Sequence, residues 1–407
     1  MNDVSFPTSR RSALLKGATL LGLPGLHACT NAVWSVPVTV SPPLPAPALR
    51  LLGETTLPYG FQFKGSTVGG LSALAYDAVD DLWYALSDDR SDHNPTRFYT
   101  LRMRITAQGL SRPELQDVVF LTQADGSLYP NRKQRNATNP TVPNPEGLCF
   151  RPQTRTLLWS SEGDRKLGLS PFVREMALDG KHLRELDTPA HLKILDATNP
   201  AESTGPRDNL GLEGLALSPD GNTVWAAMES PLLQDGPIAT VSAPGGPCRF
   251  TGIDLRTGKP IRQIAYQPDA IPLRPFPPGS FSDNGVSEIL MQSADHMLVL
   301  ERCYSFGMGN SLRIYRINVN EGSDTLNQPA LTTSNCTPAP KTLVVNFNQT
   351  GLQRTDNTEG MAWGPLLPGH NGNPARRNLV CVSDDNFNPL QITQFVAFEV
   401  TDKLNLL

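Results

Sequence analysis

One unit recurs along the chain, and this repetition constrains the fold more than any single motif does. Four copies share an acidic or hydroxyl residue followed by Gly or Ala, an apolar run, a polar turn, a second apolar run and an acidic cluster. These copies begin at Ser72, Glu146, Glu213 and Glu359, and a shorter fifth copy begins at Ser287. In the first three copies the same number of residues separates the first residue of the copy from the acid that closes it. Their closing acids are Asp88, Glu162 and Glu229.

The repeated unit predicts the fold class. A hairpin of two apolar strands cannot bury both of its faces alone, but it does so when copies stack radially around an axis. A further β-like run follows each copy and would supply outer strands. We therefore expect an all-β protein, a β-propeller of six blades with long loops on one rim. Five blades come from the repeats, and the segment from Leu51 to Lys64 is expected to close a sixth with the C-terminal strands.

The N-terminal segment resembles an export signal. Arg10 and Arg11 precede an apolar stretch that ends at Leu26, which is similar to a twin-arginine signal and too short to span a bilayer. A buried helix is the alternative, but adjacent arginines at a helix start oppose its dipole. The segment from Leu26 to Cys29 resembles a lipoprotein cleavage box. Lipidation of Cys29 and simple cleavage nearby both stay open.

Three parts follow from these features: an export signal over residues 1–29, a Pro-rich linker over 30–50 and one propeller domain over 51–407. We expect a periplasmic or otherwise extracytoplasmic monomer that meets the membrane only through a lipid on Cys29. The formal net charge of −4 gives no extended basic face, which argues against duplex nucleic acid as a partner. No run of about 18 uncharged apolar residues occurs, which excludes an integral membrane protein built of helices.

Acids at equivalent places in the repeats indicate a functional site. The innermost strands of a propeller line its axial channel, so equivalent side chains form a ring. One expected ring consists of Glu146, Glu213, Glu288 and Glu359. A second expected ring consists of Asp88, Glu162, Glu229, Glu301 and Asp384. Like charges repel by about 4 kcal/mol per pair at 4 Å in an effective dielectric near 20, so such rings need protons or cations. Carboxylate oxygens favour a hard divalent ion, with Ca²⁺ as the expected cofactor.

The acids predict a metal-assisted reaction on a small anionic substrate such as a phosphoester. A bound cation with an open position would contact a phosphoryl oxygen and activate a water, while Arg90 and Arg302 would clamp the anionic group. The predicted metal ligands are Glu146, Glu213, Glu301, Glu359 and Asp384. The predicted catalytic residues are Glu213, Glu301, Arg302 and Glu359. The alternative is that these acids cap backbone N–H groups and pair with neighbouring arginines, as a repeated structural need would produce.

Four segments resemble a known family. They are NLGLEGLA (Asn209–Ala216), LVLER (Leu298–Arg302), DNTEGM (Asp356–Met361) and VSDDNF (Val382–Phe387). Together they are similar to the phytase-like (esterase-like activity of phytase) family of bacterial exported proteins. The resemblance implies a phytase-like β-propeller that acts on phosphate or other esters, with calcium as its candidate cofactor.

Two other functions stay open. One is a propeller that binds a ligand or protein without turnover, and the other is a calcium-dependent lactonase. No Gly-x-Ser-x-Gly elbow or His-Glu-x-x-His motif occurs, so the sequence shows no serine nucleophile of the kind that many esterases use.

The cysteines predict one covalent link. Cys303 and Cys336 flank one β-rich excursion, and in an oxidising compartment they are the best candidates for a disulfide. Cys149 and Cys381 lie in apolar runs and are expected to be buried packing residues.

Overall fold

The computed structural model describes residues 48–195, 202–369, 374–401 and 404. The predicted export signal, Cys29 and most of the predicted linker lie outside these residues. The described chain forms five four-stranded antiparallel sheets and two short hairpins. The hairpins pair β2 (Gln62–Phe63) with β3 (Ser66–Thr67), and β7 (Ile105–Thr106) with β8 (Gly109–Leu110).

Each sheet is one blade. Its strands run outwards from the axis in chain order, except that an N-terminal strand forms the outer edge of the last blade. Blade 1 consists of β4 (Leu71–Asp77), β5 (Leu82–Ser87), β6 (Arg97–Arg102) and β9 (Glu114–Phe120). Blade 2 consists of β10 (Pro145–Arg151), β11 (Thr156–Ser161), β12 (Phe172–Ala177) and β13 (His182–Leu186). Blade 3 consists of β14 (Leu212–Leu217), β15 (Thr223–Met228), β16 (Cys248–Asp254) and β17 (Lys259–Tyr266).

The last two blades come from the C-terminal half of the chain and one N-terminal strand. Blade 4 consists of β18 (Ser282–Met291), β19 (His296–Ser305), β20 (Gly309–Asn318) and β21 (Lys341–Asn346). Blade 5 consists of β22 (Thr358–Trp363), β23 (Asn378–Ser383), β24 (Thr393–Val400) and β1 (Leu49–Leu57). Because β1 forms the outer edge of blade 5, the two ends of the domain are joined in one sheet.

The propeller prediction is confirmed, but the propeller has five blades and not six. The innermost strands contact one another in a closed ring, β4 to β10 to β14 to β18 to β22 and back to β4. As expected, the N-terminal segment joins the C-terminal strands: β1 pairs with β24, from Leu49 opposite Val400 to Leu57 opposite Thr393. It does not add a sixth blade, because the repeat that begins at Glu359 already supplies the other three strands of blade 5.

Burial explains why these runs form strands. The two inner strands of each blade are covered by neighbouring blades on both faces, so β11 and β23 are buried along their whole length. The outermost strand β13 meets solvent on one face, so its first four residues alternate between partly buried and exposed side chains. Four apolar clusters fill the spaces between the blades. In one of them, Trp159 meets the ring of Phe172 edge-on at a centroid distance of 5.1 Å.

The cysteines are reduced. All five cysteines of the described residues are free thiols, so the predicted Cys303–Cys336 disulfide is not formed. Cys303 is fully buried and packs with Ala239 and Ile271, whereas Cys336 is partly exposed. Cys149 and Cys381 are buried, as predicted.

Within the described ranges, helices are limited to single 3₁₀ turns, and none of them has the length and apolarity of a membrane span.

Candidate active site

A pocket of about 270 Å³ opens at the end of the channel where the innermost strands begin. Its charged lining comes from blades 2 to 4 and the loop that leads into blade 5. These residues are Glu146, Glu162, Glu213, Glu229, Asp283, Asp356, Arg302 and Arg354. Apolar and aromatic side chains complete one part of the lining. They are Leu210, Phe281, Tyr304, Phe306 and Leu390.

A β-bulge near the start of every innermost strand positions the first set of site residues. The pairing with the second strand shifts at this point in all five blades, so residues of the inner strand are inserted against its partner. The first inserted residues are Ser72, Glu146, Glu213, Ser287 and Glu359. The inserted positions therefore hold a glutamate in three blades and a serine in two.

The second set follows the second strand of each blade. In every blade one residue of the second strand pairs with the residue just before the bulge, and the next residue along the chain enters the ring. The ring residues are Asp88, Glu162, Glu229, Arg302 and Asp384. Four carboxyl groups and one guanidinium thus occupy equivalent places.

Blade 4 departs from the expected rings by one residue in both strands. Glu301 pairs with Val286, which makes Arg302 and not Glu301 the equivalent of Glu162 and Glu229. Likewise Ser287 and not Glu288 occupies the bulge. A shift of one residue turns a strand side chain to the opposite face of its sheet. The structure therefore does not bring Glu288 or Glu301 together with the other predicted acids.

Glu301 belongs to a buried network between blades 3 and 4, away from the pocket lining. Its carboxyl group accepts hydrogen bonds from the Tyr266 hydroxyl at 2.7 Å and from Asn284 Nδ2 at 2.9 Å. Lys341 Nζ lies 2.6 Å from the same carboxyl group. These contacts give Glu301 a structural role. We therefore do not include it among the proposed metal ligands or catalytic groups.

Glu288 sits inside the channel and bridges three blades. Its Oε1 accepts hydrogen bonds from the backbone N–H of Leu215 in blade 3 at 3.0 Å and of Ile289 at 2.9 Å. Burial raises the pKa of this carboxyl well above its ordinary value, and the N–H groups of Ile289, Leu215 and Met361 oppose that shift only in part. The residue matches the capping alternative that the sequence left open.

Among the residues that the structure describes, Glu146, Glu162 and Glu213 form a close group of carboxyl groups. One oxygen from each lies within 4.8 Å of the others, and all three side chains are buried. Glu162 is held in place because it accepts a hydrogen bond from the Gly211 N–H at 2.8 Å and another from Asn144 Nδ2. Three carboxylate oxygens at this separation match the hard oxygen ligands that Ca²⁺ takes, so the residues fit a divalent cation.

The electrostatics of Glu213 show how crowded the floor of the pocket is. Burial raises the pKa of Glu213 well above its ordinary value. Four other carboxylates add to that shift by repulsion. In decreasing order of effect they are Glu146, Glu229, Glu162 and Glu359. The pocket therefore favours whatever neutralises this charge, either a proton or a cation.

Arg302 joins acids from two different blades. Its Nη2 donates to Glu229 Oε1 at 3.1 Å, and its Nε lies 3.7 Å from Glu359 Oε1. Asn357 Nδ2 in turn donates to Glu359 Oε1 at 3.0 Å and to Asp384 Oδ2 at 3.2 Å. This chain of contacts places the predicted residues Arg302, Glu359 and Asp384 in one connected group.

Arg90, the second predicted clamp, lies elsewhere. It pairs with Asp164 at 2.6 Å, together with Arg132 at 2.5 Å, and it is not part of the pocket lining. Sequence reasoning also missed residues that do line the pocket, above all Phe281, Tyr304 and Phe306. A signal for two of them was present, because Arg302, Tyr304 and Phe306 alternate along one strand and its extension.

Fold and site together define a five-bladed β-propeller with a carboxylate-rich pocket at one end of its channel. Residues 66–387 match the model of the phytase-like family, described as esterase-like activity of phytase. This match covers most of the chain, so the protein belongs to that family, and the predicted resemblance is confirmed. A comparison with curated proteins found no match.

Distant similarities to solved structures cover most of the chain. The catalytic domain of the GH62 alpha-L-arabinofuranosidase of Coprinopsis cinerea is 11% identical, with 87% of this chain and 98% of that chain covered and a TM-score of 0.42. The hydrazine synthase of Kuenenia stuttgartiensis is 12% identical, with 81% and 82% covered and a TM-score of 0.36. The Dos1 propeller is 8% identical, with 82% and 69% covered and a TM-score of 0.33.

Proposed function

We propose that the protein is a hydrolase of phosphate or other esters that uses a divalent cation, with Ca²⁺ as the candidate. The observation that carries the proposal is the group of three buried carboxyl groups, Glu146, Glu162 and Glu213, whose oxygens lie within 4.8 Å of one another. Membership of the phytase-like family supports an ester as the substrate. When bound there, a divalent cation would neutralise charge on the ester oxygens and make a water more acidic.

The chain's own residues then have distinct tasks. Glu146, Glu162 and Glu213 hold the cation. Arg302 is fixed from two sides by Glu229 and Glu359, so its guanidinium is preorganised to donate hydrogen bonds to an anionic oxygen of the ester.

Glu359 is buried and does not line the pocket, so we assign this predicted catalytic residue a positioning role, in which its carboxyl group holds the Arg302 guanidinium. Its contacts with Arg302 and Asn357 fix the position of its carboxyl group. Asp384 shares the Asn357 amide and keeps that amide oriented towards Glu359.

Calcium titration of the full chain tests this proposal. Wild-type protein is expected to bind Ca²⁺ and to release phosphate from a panel of phosphoesters, with activity lost in EDTA and restored by Ca²⁺. Glu213→Gln should weaken both Ca²⁺ affinity and activity by more than about tenfold, a loss that even outer-shell changes reach in other metal sites. Glu301→Gln is the matched control, since this acid is also buried but lies in the Lys341 network. It should lower thermal stability and leave Ca²⁺ affinity unchanged.

Other results would redirect the assignment. Equal Ca²⁺ affinity in wild type and Glu213→Gln, or no binding by either, would overturn the cation site. Calcium binding without turnover of any phosphoester, carboxylic ester or lactone would favour the non-catalytic binding propeller. Turnover of lactones alone would favour the lactonase.

We also propose that the protein is exported. The support is the twin-arginine-like segment at Arg10 and Arg11 and the cleavage-box-like segment that ends at Cys29. The wild-type chain is expected in shortened form in the periplasmic or membrane fraction, and the double change Arg10→Lys, Arg11→Lys should leave it uncleaved in the cytoplasm. Loss of membrane association in Cys29→Ser would indicate a lipid anchor. Full-length wild-type chain in the cytoplasm would contradict export.

A further inference from the structure

One wall of the pocket is apolar, and it rises from blade 4. Strands β18 and β19 are 10 residues long, whereas the two inner strands of the other blades have 6 or 7 residues. The added residues lie at the pocket end, because β18 begins four positions before Val286, which is equivalent to Pro145 at the start of β10. Blade 4 therefore extends past the ring of acids.

This extension presents aromatic side chains to the pocket. Residues two apart in a strand face the same side, so Tyr304 and Phe306 follow Arg302 on the pocket side. Phe281 precedes β18, and its ring lies 6.1 Å from the ring of Tyr304. Leu210 and Leu390 contribute apolar surface from the loops before blade 3 and within blade 5.

Part of this apolar surface is not covered by the protein. Phe281 is 40% exposed and Leu390 is 55% exposed, although both line the pocket. Removing such surface from water is favourable, and aromatic rings gain further from contact with another ring. A ligand with a non-polar group would bury these side chains when its polar group reaches the floor.

The charge balance of the same pocket disfavours a ligand with many negative charges. Six carboxyl groups and two arginines line it. One divalent cation adds two positive charges, which still leaves the acids in excess. A polyphosphorylated molecule would place several negative charges near these acids and meet net repulsion, whereas a single anionic group can contact Arg302 and the cation and leave the rest of the ligand uncharged.

We propose that the substrate is an ester of a single anionic group, such as a phosphate, with an aromatic or similarly apolar substituent, and that Phe281, Tyr304 and Leu390 select that substituent. This proposal rests on the proposed hydrolase function and specifies its substrate class. It separates the site from one built for inositol polyphosphates, whose surface is polar and highly charged.

Binding of non-hydrolysable probes to the Ca²⁺-loaded full chain tests the proposal. Because these probes do not react, differences between leaving groups cannot affect the result. Phenylphosphonate is expected to bind about tenfold or more tightly than methylphosphonate, because burial of one ring is worth that much. Inositol hexakisphosphate should bind more weakly than phenylphosphonate when both are measured at the same concentration of free Ca²⁺. Hydrolysis of naphthyl and methyl phosphates is measured in parallel.

Matched variants assign the preference to the wall. Leu390→Ala and Phe281→Ala should each reduce the phenyl-to-methyl preference several-fold. Leu343→Ala is the control, since this leucine is 48% exposed on the outer strand β21 and does not line the pocket, so its removal should leave the preference intact.

Each remaining outcome has a distinct meaning. Equal affinity for both phosphonates, with phosphoester turnover intact, would overturn the apolar selection but leave the hydrolase. Tighter binding of inositol hexakisphosphate would overturn the charge argument. Absence of both phosphonate binding and hydrolysis would overturn the hydrolase and this inference together.

Discussion

Gly285 at the start of blade 4 lies directly against the side chain of Glu229 in blade 3. A β-carbon on Gly285 would come within 2.8 Å of Glu229 Cγ and 3.1 Å of its Oε1. The same relation joins blades 2 and 3, where a β-carbon on Gly211 would lie 2.9 Å from Glu162 Cγ. Ring acids of one blade are thus fixed by the close approach of the next blade, which couples blade packing to the geometry of the site.

Gly285→Ala is expected to disturb the site through this contact. The added methyl group must displace Glu229, and with it Arg302, which Glu229 holds at 3.1 Å. Overpacking of this kind costs about 1–3 kcal/mol of unfolding free energy, and activity should fall with it. Gly53→Ala is the control, because a β-carbon there meets only ordinary contacts in β1. Urea denaturation and phosphoester turnover measure the two effects, and equal values for both variants would contradict the coupling.

The sequence predicted the parts of the site in which the repeats are regular. Glu146 with Glu162 and Glu213 with Glu229 have identical spacing, so a closed propeller converts that spacing into proximity. The same type of residue also occurs in blade 4, but one position out of phase. The sequence pattern therefore predicted Glu301 at the ring position, whereas the strand pairing places Arg302 there. Residue type alone cannot reveal such a shift, because strand register depends on pairing between segments.

The blade count and the apolar wall escaped prediction for a related reason. The joining of the N-terminal segment to the C-terminal strands was predicted, but it was counted as a separate sixth blade. Leu49 in fact pairs with Val400 in the blade that the repeat at Glu359 forms, and no local pattern shows which blade such a distant pairing completes. The wall depends on the length of β18 and β19, and the alternation of Arg302, Tyr304 and Phe306 becomes meaningful only once those lengths are known.

Arg302→Gln should destabilise the protein both in the absence and in the presence of calcium. The change removes the cation between Glu229 and Glu359, and breaking a buried ion pair costs about 3–5 kcal/mol. Ca²⁺ at 100 times its dissociation constant stabilises any folded chain that keeps the site by about 2.7 kcal/mol, so wild type and Arg302→Gln should both gain and the difference between them should persist. Arg112→Gln, at an exposed position between β8 and β9, is the control and should change the melting temperature little. Melting curves in EDTA and in Ca²⁺ measure this, and an equal loss in both variants would refute the prediction.

Asp235→Ala should destabilise the outer part of blade 3 without affecting calcium binding. Asp235 and Arg249 are both fully buried and joined by two hydrogen bonds, at 2.6 and 2.8 Å. The variant leaves the guanidinium buried without its carboxylate, which costs about 3–5 kcal/mol. Asp179→Ala removes an exposed pair with Lys181 and should cost less than about 1 kcal/mol. Chemical denaturation compares the two, and similar losses would show that burial does not decide the strength of these pairs.

Glu288→Gln should change how stability depends on pH. Burial raises the pKa of Glu288 well above the ordinary 4.5. A carboxyl group with a raised folded-state pKa contributes its full stability below pH 4.5 and loses it as the pH rises through that folded-state value. The amide of the variant does not titrate and can still accept the N–H groups of Leu215 and Ile289. Relative to wild type, Glu288→Gln should therefore gain up to about 1.4 kcal/mol per pH unit above pH 4.5.

Glu175→Gln supplies a comparison of opposite sign to Glu288→Gln. Burial acts to raise the pKa of Glu175, but hydrogen bonds from Thr156 and Arg184 outweigh it and hold that pKa below its ordinary value. A group with a lowered pKa contributes stability above its unfolded-state pKa and loses it as the pH falls. Glu175→Gln should thus be less stable than wild type at pH 7, with the deficit shrinking towards pH 3. Urea denaturation in EDTA across this range measures both variants, and parallel profiles for the two would show that burial does not set the charge of Glu288.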